Sequence, residues 1–61
     1  MKTHNLLLID DDRHLLDSMA TWLREQGYNV FTAEGCQQAR EQIEAHSLDL
    51  VLADVRLNDG D

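Results

Sequence analysis

Four aspartates stand directly after two apolar runs of this 61-residue chain. Asp10, Asp11 and Asp12 follow the first run, and Asp54 follows the second. If both runs are neighbouring parallel strands, their carboxyl ends bring at least three carboxylates into one small pocket. Carboxylates at such short distances raise one another's pKa or recruit a cation. Oxygen ligands of this kind suit Mg²⁺. The pattern therefore predicts a place where an aspartyl phosphate forms beside a metal ion.

The elements that position these acids follow from the spacing of apolar residues, which alternates between the strand pattern and the helix pattern. The predicted elements are a strand over 5–9, a helix over 13–26, a strand over 28–32, a weaker amphipathic helix over 36–46 and a strand over 48–53. Gly27 stands where a left-handed helix C-cap is expected. The order β-α-β-α-β predicts an α/β fold with parallel strands and right-handed crossovers.

The first helix carries six apolar residues at helical spacing, namely Leu15, Leu16, Met19, Ala20, Trp22 and Leu23. Met19 and Trp22 are expected to pack in the core or along the helix face. The single cysteine, Cys36, is expected to be a half-buried small residue. Since it cannot form an internal disulfide, it favours a reducing cytoplasm.

Composition narrows the classes of partner. Five basic residues against twelve acidic ones give a formal net charge of −7. This balance argues against direct nucleic-acid binding, because phosphate backbones are bound by clusters of lysine and arginine. No apolar stretch approaches the roughly 20 residues of a membrane helix, so we expect no membrane partner either.

At this point the chain resembles a response-regulator receiver domain, the phosphoryl-accepting module of two-component signalling. Three segments carry the resemblance: Leu-Leu-Leu-Ile-Asp-Asp-Asp at 6–12, Leu-Arg-Glu-Gln-Gly-Tyr at 23–28 and Leu-Asp-Leu-Val-Leu-Ala-Asp-Val-Arg-Leu at 48–57. Asp54 also stands 43 positions after Asp11, the family's usual separation. The resemblance implies a flavodoxin-like, doubly wound parallel sheet with strand order 2-1-3. Residues 1–61 are then expected to be the N-terminal half of a truncated receiver domain.

The resemblance also implies a role for each site residue. Asp54 is expected to be the phosphoacceptor, with Mg²⁺ as cofactor. Asp11 is expected to bind the metal directly, and Asp10 to bind it through water or to stabilise a bound water. The backbone carbonyl of Arg56 is expected to complete the protein's ligands, whereas Asp12 lies beyond the acidic pair and is not expected to be one.

The partners implied by the resemblance are a sensor histidine kinase and an output domain, most similar to those of transcriptional activators of the nitrogen-regulation type. We expect a cytoplasmic signalling module rather than an enzyme, and the exposed sheet surface of a half domain predicts self-association. The family's proline after the phosphoacceptor is replaced by Asn58, and its later Ser/Thr and Lys have no counterpart in these residues.

Two alternatives stay open. A Mg²⁺-dependent phosphatase with an aspartyl nucleophile usually has a second acid two residues later, where this chain has Arg56. The second alternative is a receiver-like interaction module that is never phosphorylated.

Overall fold

The computed structural model describes residues 3–53, which form a three-stranded parallel sheet and two helices. In chain order the elements are β1 (Asn5–Ile9), α1 (Arg13–Glu25), β2 (Asn29–Ala33), α2 (Cys36–Ala45) and β3 (Leu50–Ala53). The strand order is β2-β1-β3, with β1 in the centre. The predicted α/β class, flavodoxin-like arrangement and strand order are confirmed. Within the described range, neither helix has the length and apolar character needed to cross a membrane.

The central strand β1 is covered by a helix on each of its two faces. Successive side chains of a strand point to opposite faces, so neighbouring leucines of β1 join different clusters. Leu8 packs with Leu16 and Ala20 of α1, whereas Leu7 packs with Ala39 of α2. Leu7 and Leu8 are at most 1% exposed. A fully apolar strand is therefore stable here because each face has its own helix.

The ends of the elements match the predicted ends or differ from them by at most two residues, as is common at fraying termini. β2 begins at Asn29 because α1 closes with a Schellman motif. The N–H of Gly27 donates to the carbonyl of Arg24 (3.0 Å), and the N–H of Tyr28 donates to that of Leu23 (3.2 Å). Gly27 has a φ of 100°, a conformation that glycine adopts without a Cβ penalty.

Asn5 fixes the register of the sheet at the amino end of the strands. Its N–H donates to Oδ2 of Asp49 (2.7 Å), and its side-chain amide donates to the carbonyl of Ser47 (2.7 Å). The amide of Asn29 donates to Oδ1 of Asn5 at 3.1 Å. Because these bonds tie β1 to both flanking segments, they oppose a one-residue slip that would turn every side chain to the other face.

Three of the six apolar residues of α1 lie outside the core, among them Met19 and Trp22. Leu15 and Met19 are each 38% exposed and Trp22 is 59% exposed, whereas Leu16 and Ala20 are buried. Among the described elements, α1 packs on β1 and β2, and β3 packs on β1 alone. The side of α1 nearest β3 therefore has no partner among residues 3–53. Cys36 is likewise exposed rather than half-buried.

We expect the 61-residue chain to self-associate through β3. Leu50, Val51 and Leu52 are 39–50% exposed, and the strand carries neither a charge nor a proline to block pairing with another chain. Sedimentation velocity should show an average mass that rises with concentration, and Leu52→Lys should return the chain to a monomer. Ile43→Lys, at an exposed position on α2, is the matched control. A wild-type monomer at every concentration, or equal effects of the two lysines, would contradict this expectation.

Candidate metal and phosphorylation site

The three strands end at one level on the carboxyl side of the sheet. Ile9 of β1 lies opposite Ala33 of β2 and Ala53 of β3 in the parallel register. Asp10 follows Ile9 directly, and its N–H donates to the carbonyl of Ala33 at 3.1 Å. Asp54, the residue after Ala53 in the sequence, lies outside the described residues. We call the carboxyl end of the sheet with Asp10, Asp11 and Asp12 the acidic edge.

Asp10 is buried, with 6% of its surface exposed. Its Oδ1 accepts a hydrogen bond from the N–H of Asp12 at 2.9 Å, and no cationic side chain among residues 3–53 pairs with it. Burying a carboxylate is costly unless hydrogen bonds or an opposite charge compensate it. A bound cation would compensate Asp10, so its burial fits a metal at this edge.

Asp11 and Asp12 are both exposed but differ in their contacts. Asp12 is the N-cap of α1, since its Oδ1 accepts from the N–H of Leu15 at 3.2 Å and its carbonyl accepts from the N–H of Leu16 at 3.0 Å. This capping accounts for Asp12 without a metal. The Asp11 carboxylate makes no such bond within the described residues and is available to a ligand.

A fourth acid, Glu34, also lies at this end of the sheet, although it was not among the candidate residues predicted from the sequence. It directly follows Ala33 of β2, and its carboxylate Oε2 pairs with Nη1 of Arg13. Nε of Arg13 also lies 3.4 Å from Oδ1 of Asp17. The hydrogen bond that Arg13 donates to Glu34, and next the charge of Asp17, raise the pKa of the Arg13 guanidinium. The signal that could have revealed Glu34 is its place after a strand, which it shares with Asp10.

The residues present fit a magnesium ion in part. Across residues 3–53, no three histidine, cysteine or acidic side chains converge on one metal position. Asp10 and Asp11 supply two carboxylates, while Asp54 and the carbonyl of Arg56 fall outside the described residues. Because Mg²⁺ is bound by one or two carboxylates and keeps several waters, a pair of adjacent aspartates at a strand end is a suitable donor set.

A cavity of about 330 Å³ adjoins the acidic edge between α1 and β3. Its lining is apolar except for one ionisable side chain, that of Asp10. The other lining residues are Leu8, Ile9, Leu15, Leu16, Met19, Leu52 and Ala53. Apolar walls lower the local dielectric constant, so they strengthen any interaction between Asp10 and a cation.

Sequence comparisons with known proteins identify the family of the chain. A family model described as the response regulator receiver domain matches residues 6–61. The chain is 37% identical over 60 residues to the transcriptional regulatory protein GlrR of Escherichia coli (strain K12), a match that covers 98% of the chain and 14% of that protein. It is 40% identical over 57 residues to the transcriptional regulatory protein ZraR of the same organism, covering 93% of the chain and 13% of that protein.

A further relative is the transcriptional regulatory protein CpxR of Escherichia coli (strain K12), 37% identical over 54 residues, with 88% of the chain and 23% of that protein covered. The chain thus spans less than a quarter of the length of each of these relatives. No solved structure gives a significant match. The expected similarity to transcriptional regulators is confirmed.

Proposed function

Because the chain belongs to the response regulator receiver domain family, we propose that it accepts a phosphoryl group from a sensor histidine kinase onto Asp54. The observation that carries the proposal is the register of the sheet. Ile9 and Ala53 are direct neighbours across β1 and β3, and each is followed in the sequence by an aspartate. This neighbourhood supports a joint site of Asp10, Asp11 and Asp54.

The family resemblance gives each residue its role, and the positions of Asp10 and Asp11 are compatible with it. Asp11, exposed at the end of β1, would bind Mg²⁺ directly, and buried Asp10 would bind it through water or hold a bound water. Asp54 and the carbonyl of Arg56 would supply the other ligands. When bound, the metal ion offsets the repulsion between the Asp54 carboxylate and the anionic phosphoryl group, which is roughly 4 kcal/mol for unit charges about 4 Å apart at an effective dielectric constant near 20.

The transfer itself exchanges one bond to phosphorus for another. An oxygen of Asp54 attacks the phosphorus of the kinase phosphohistidine, the new P–O bond forms, and the P–N bond breaks. The leaving imidazole keeps the bonding electron pair and takes up a proton from solvent. The part of the chain described here contributes by position, since the hydrogen bond from Asp12 to the buried carboxylate of Asp10 holds that group in place.

The consequence of phosphorylation is a shift in a conformational equilibrium that an output domain reads. The relatives GlrR, ZraR and CpxR are transcriptional regulatory proteins, which supports regulation of transcription as the output. We further propose a cytoplasmic location, and that residues 1–61 are the N-terminal part of a longer receiver domain.

Mg²⁺ and a small acyl-phosphate donor test the proposal. Trp22, the single tryptophan of the sequence, is 59% exposed on α1 and serves as the fluorescent reporter. We expect Mg²⁺ to change its emission in the 61-residue chain. In the protein that carries this sequence, the donor or the kinase should then add one hydroxylamine-labile phosphoryl group, seen by intact mass. Sustained turnover of a phosphoester would favour the phosphatase instead, and no response to either addition would favour the unphosphorylated module.

A further inference from the structure

One arginine of the described residues lies at the acidic edge, and two carboxylates hold its guanidinium. Arg13 directly follows Asp12 at the start of α1, and its Nη1 pairs with Glu34 in the connection between β2 and α2. Its Nε lies 3.4 Å from Asp17, one helical turn further along α1. The other two arginines of residues 3–53 are elsewhere, because Arg24 lies in the last turn of α1 and Arg40 within α2.

This ion pair is poorly placed to stabilise the fold. The Arg13 and Glu34 side chains are 66% and 41% exposed, and ion pairs in that setting contribute little to stability. The position of the Arg13–Glu34 pair suggests a role at the proposed metal site instead. Glu34 follows Ala33, whose carbonyl accepts the hydrogen bond from the N–H of Asp10. The pair therefore lies at the same end of the sheet as Asp10, next to the neighbouring strand β2.

We propose that Arg13 sets the affinity of the acidic edge for divalent cations, an inference that rests on the proposed metal site. Its charge opposes an incoming cation. Its contact with Glu34 also neutralises a fourth carboxylate that otherwise adds to the attraction of Asp10, Asp11 and Asp12. Arg13 acts through charge and through its hold on Glu34, so it is a positioning residue rather than a metal ligand.

The size of the effect follows from Coulomb's law. A unit charge about 10 Å from a divalent ion in water changes its binding constant roughly fourfold. The Debye length is about 10 Å at 0.1 M salt, so the effect should shrink as salt is added.

Isothermal titration of the 61-residue chain with Mg²⁺ at low salt tests the inference. We expect Arg13→Gln to bind Mg²⁺ roughly fourfold more tightly than wild type, and Arg13→Lys to keep the wild-type affinity because it keeps the charge. Arg40→Gln makes the same change of net charge at an exposed position on α2 and should leave the affinity unchanged. Glu34→Gln should weaken Mg²⁺ binding. The double variant Arg13→Gln/Glu34→Gln should have a Mg²⁺ affinity close to that of wild type.

The outcomes separate this inference from the proposed function. If the wild-type chain binds no Mg²⁺, the metal site and the inference fail together. If wild type binds Mg²⁺ but Arg13→Gln and Arg40→Gln change the affinity equally, only the inference fails, because net charge alone then explains the result. Circular dichroism of each variant checks that the fold is retained. If Arg13→Lys binds Mg²⁺ as tightly as Arg13→Gln does, the proposed role of the Arg13 charge is also wrong.

Discussion

Replacing Asp54 with asparagine is expected to abolish phosphorylation in the protein that carries this sequence. The amide has almost the shape of the carboxylate but lacks its nucleophilic oxygen, and loss of a nucleophile typically costs several orders of magnitude in rate. Incubation with labelled kinase or with an acyl-phosphate donor should leave the Asp54→Asn protein without label, while wild type becomes labelled on one residue.

The same substitution elsewhere provides the control. Asp59→Asn removes a carboxylate five positions later in the sequence and should leave labelling unchanged, since we expect that acid only to solvate a loop. The thermal unfolding of the two variants should match that of wild type within a few degrees. Label at the wild-type rate on the Asp54→Asn protein would show that the acceptor is another residue.

The fold was largely predictable from the sequence because its strongest signals are local. A run of four apolar residues predicts a strand covered on both faces, and β1 meets that description with three buried leucines. Gly27 predicts the end of α1, and the Schellman motif is found there. Strand order 2-1-3 was implied by the family resemblance, because right-handed crossovers alone allow 1-2-3 as well.

Exposure was less predictable, because helical spacing shows which residues share a face but not what covers it. Met19 and Trp22 lie at positions that suit a core-facing stripe, yet they border an open cavity with Leu52 of β3. Their exposure depends on which element packs over β3. Which element packs there is a property of the tertiary structure, and the local sequence of α1 does not encode it.

The candidate site also has one part that was predictable from the sequence and one part that was not. The acids at strand ends were visible in the sequence, and the register brings the ends of β1 and β3 to one level. The pairing of Arg13 with Glu34 was not visible, because the partners stand 21 residues apart and meet only when β1 and β2 align. The roles of Asp54 and Arg56 remain predictions, since both lie outside the described residues.

Asp11→Ala and Asp12→Ala each remove one carboxylate, but we expect them to affect different properties. Asp11→Ala should mainly affect metal binding, whereas Asp12→Ala should mainly affect helix capping. Asp11→Ala is expected to weaken Mg²⁺ binding by roughly 30-fold, because a unit charge about 4 Å from a divalent ion contributes about 2 kcal/mol even in water. Its free energy of unfolding should change little, since the exposed Asp11 side chain makes no hydrogen bond in residues 3–53.

Asp12→Ala should have the opposite profile. It removes the N-cap bond to Leu15, so the free energy of unfolding should fall by about 1 kcal/mol, while Mg²⁺ affinity falls much less than in Asp11→Ala. Urea denaturation and isothermal titration measure the two quantities. Asp12→Ser restores a capping oxygen without the charge and should recover the stability but not the small loss of affinity. Equal affinities for the two alanine variants would mean that Asp11 is no closer to the metal than Asp12, and the ligand assignment would have to be reversed or abandoned.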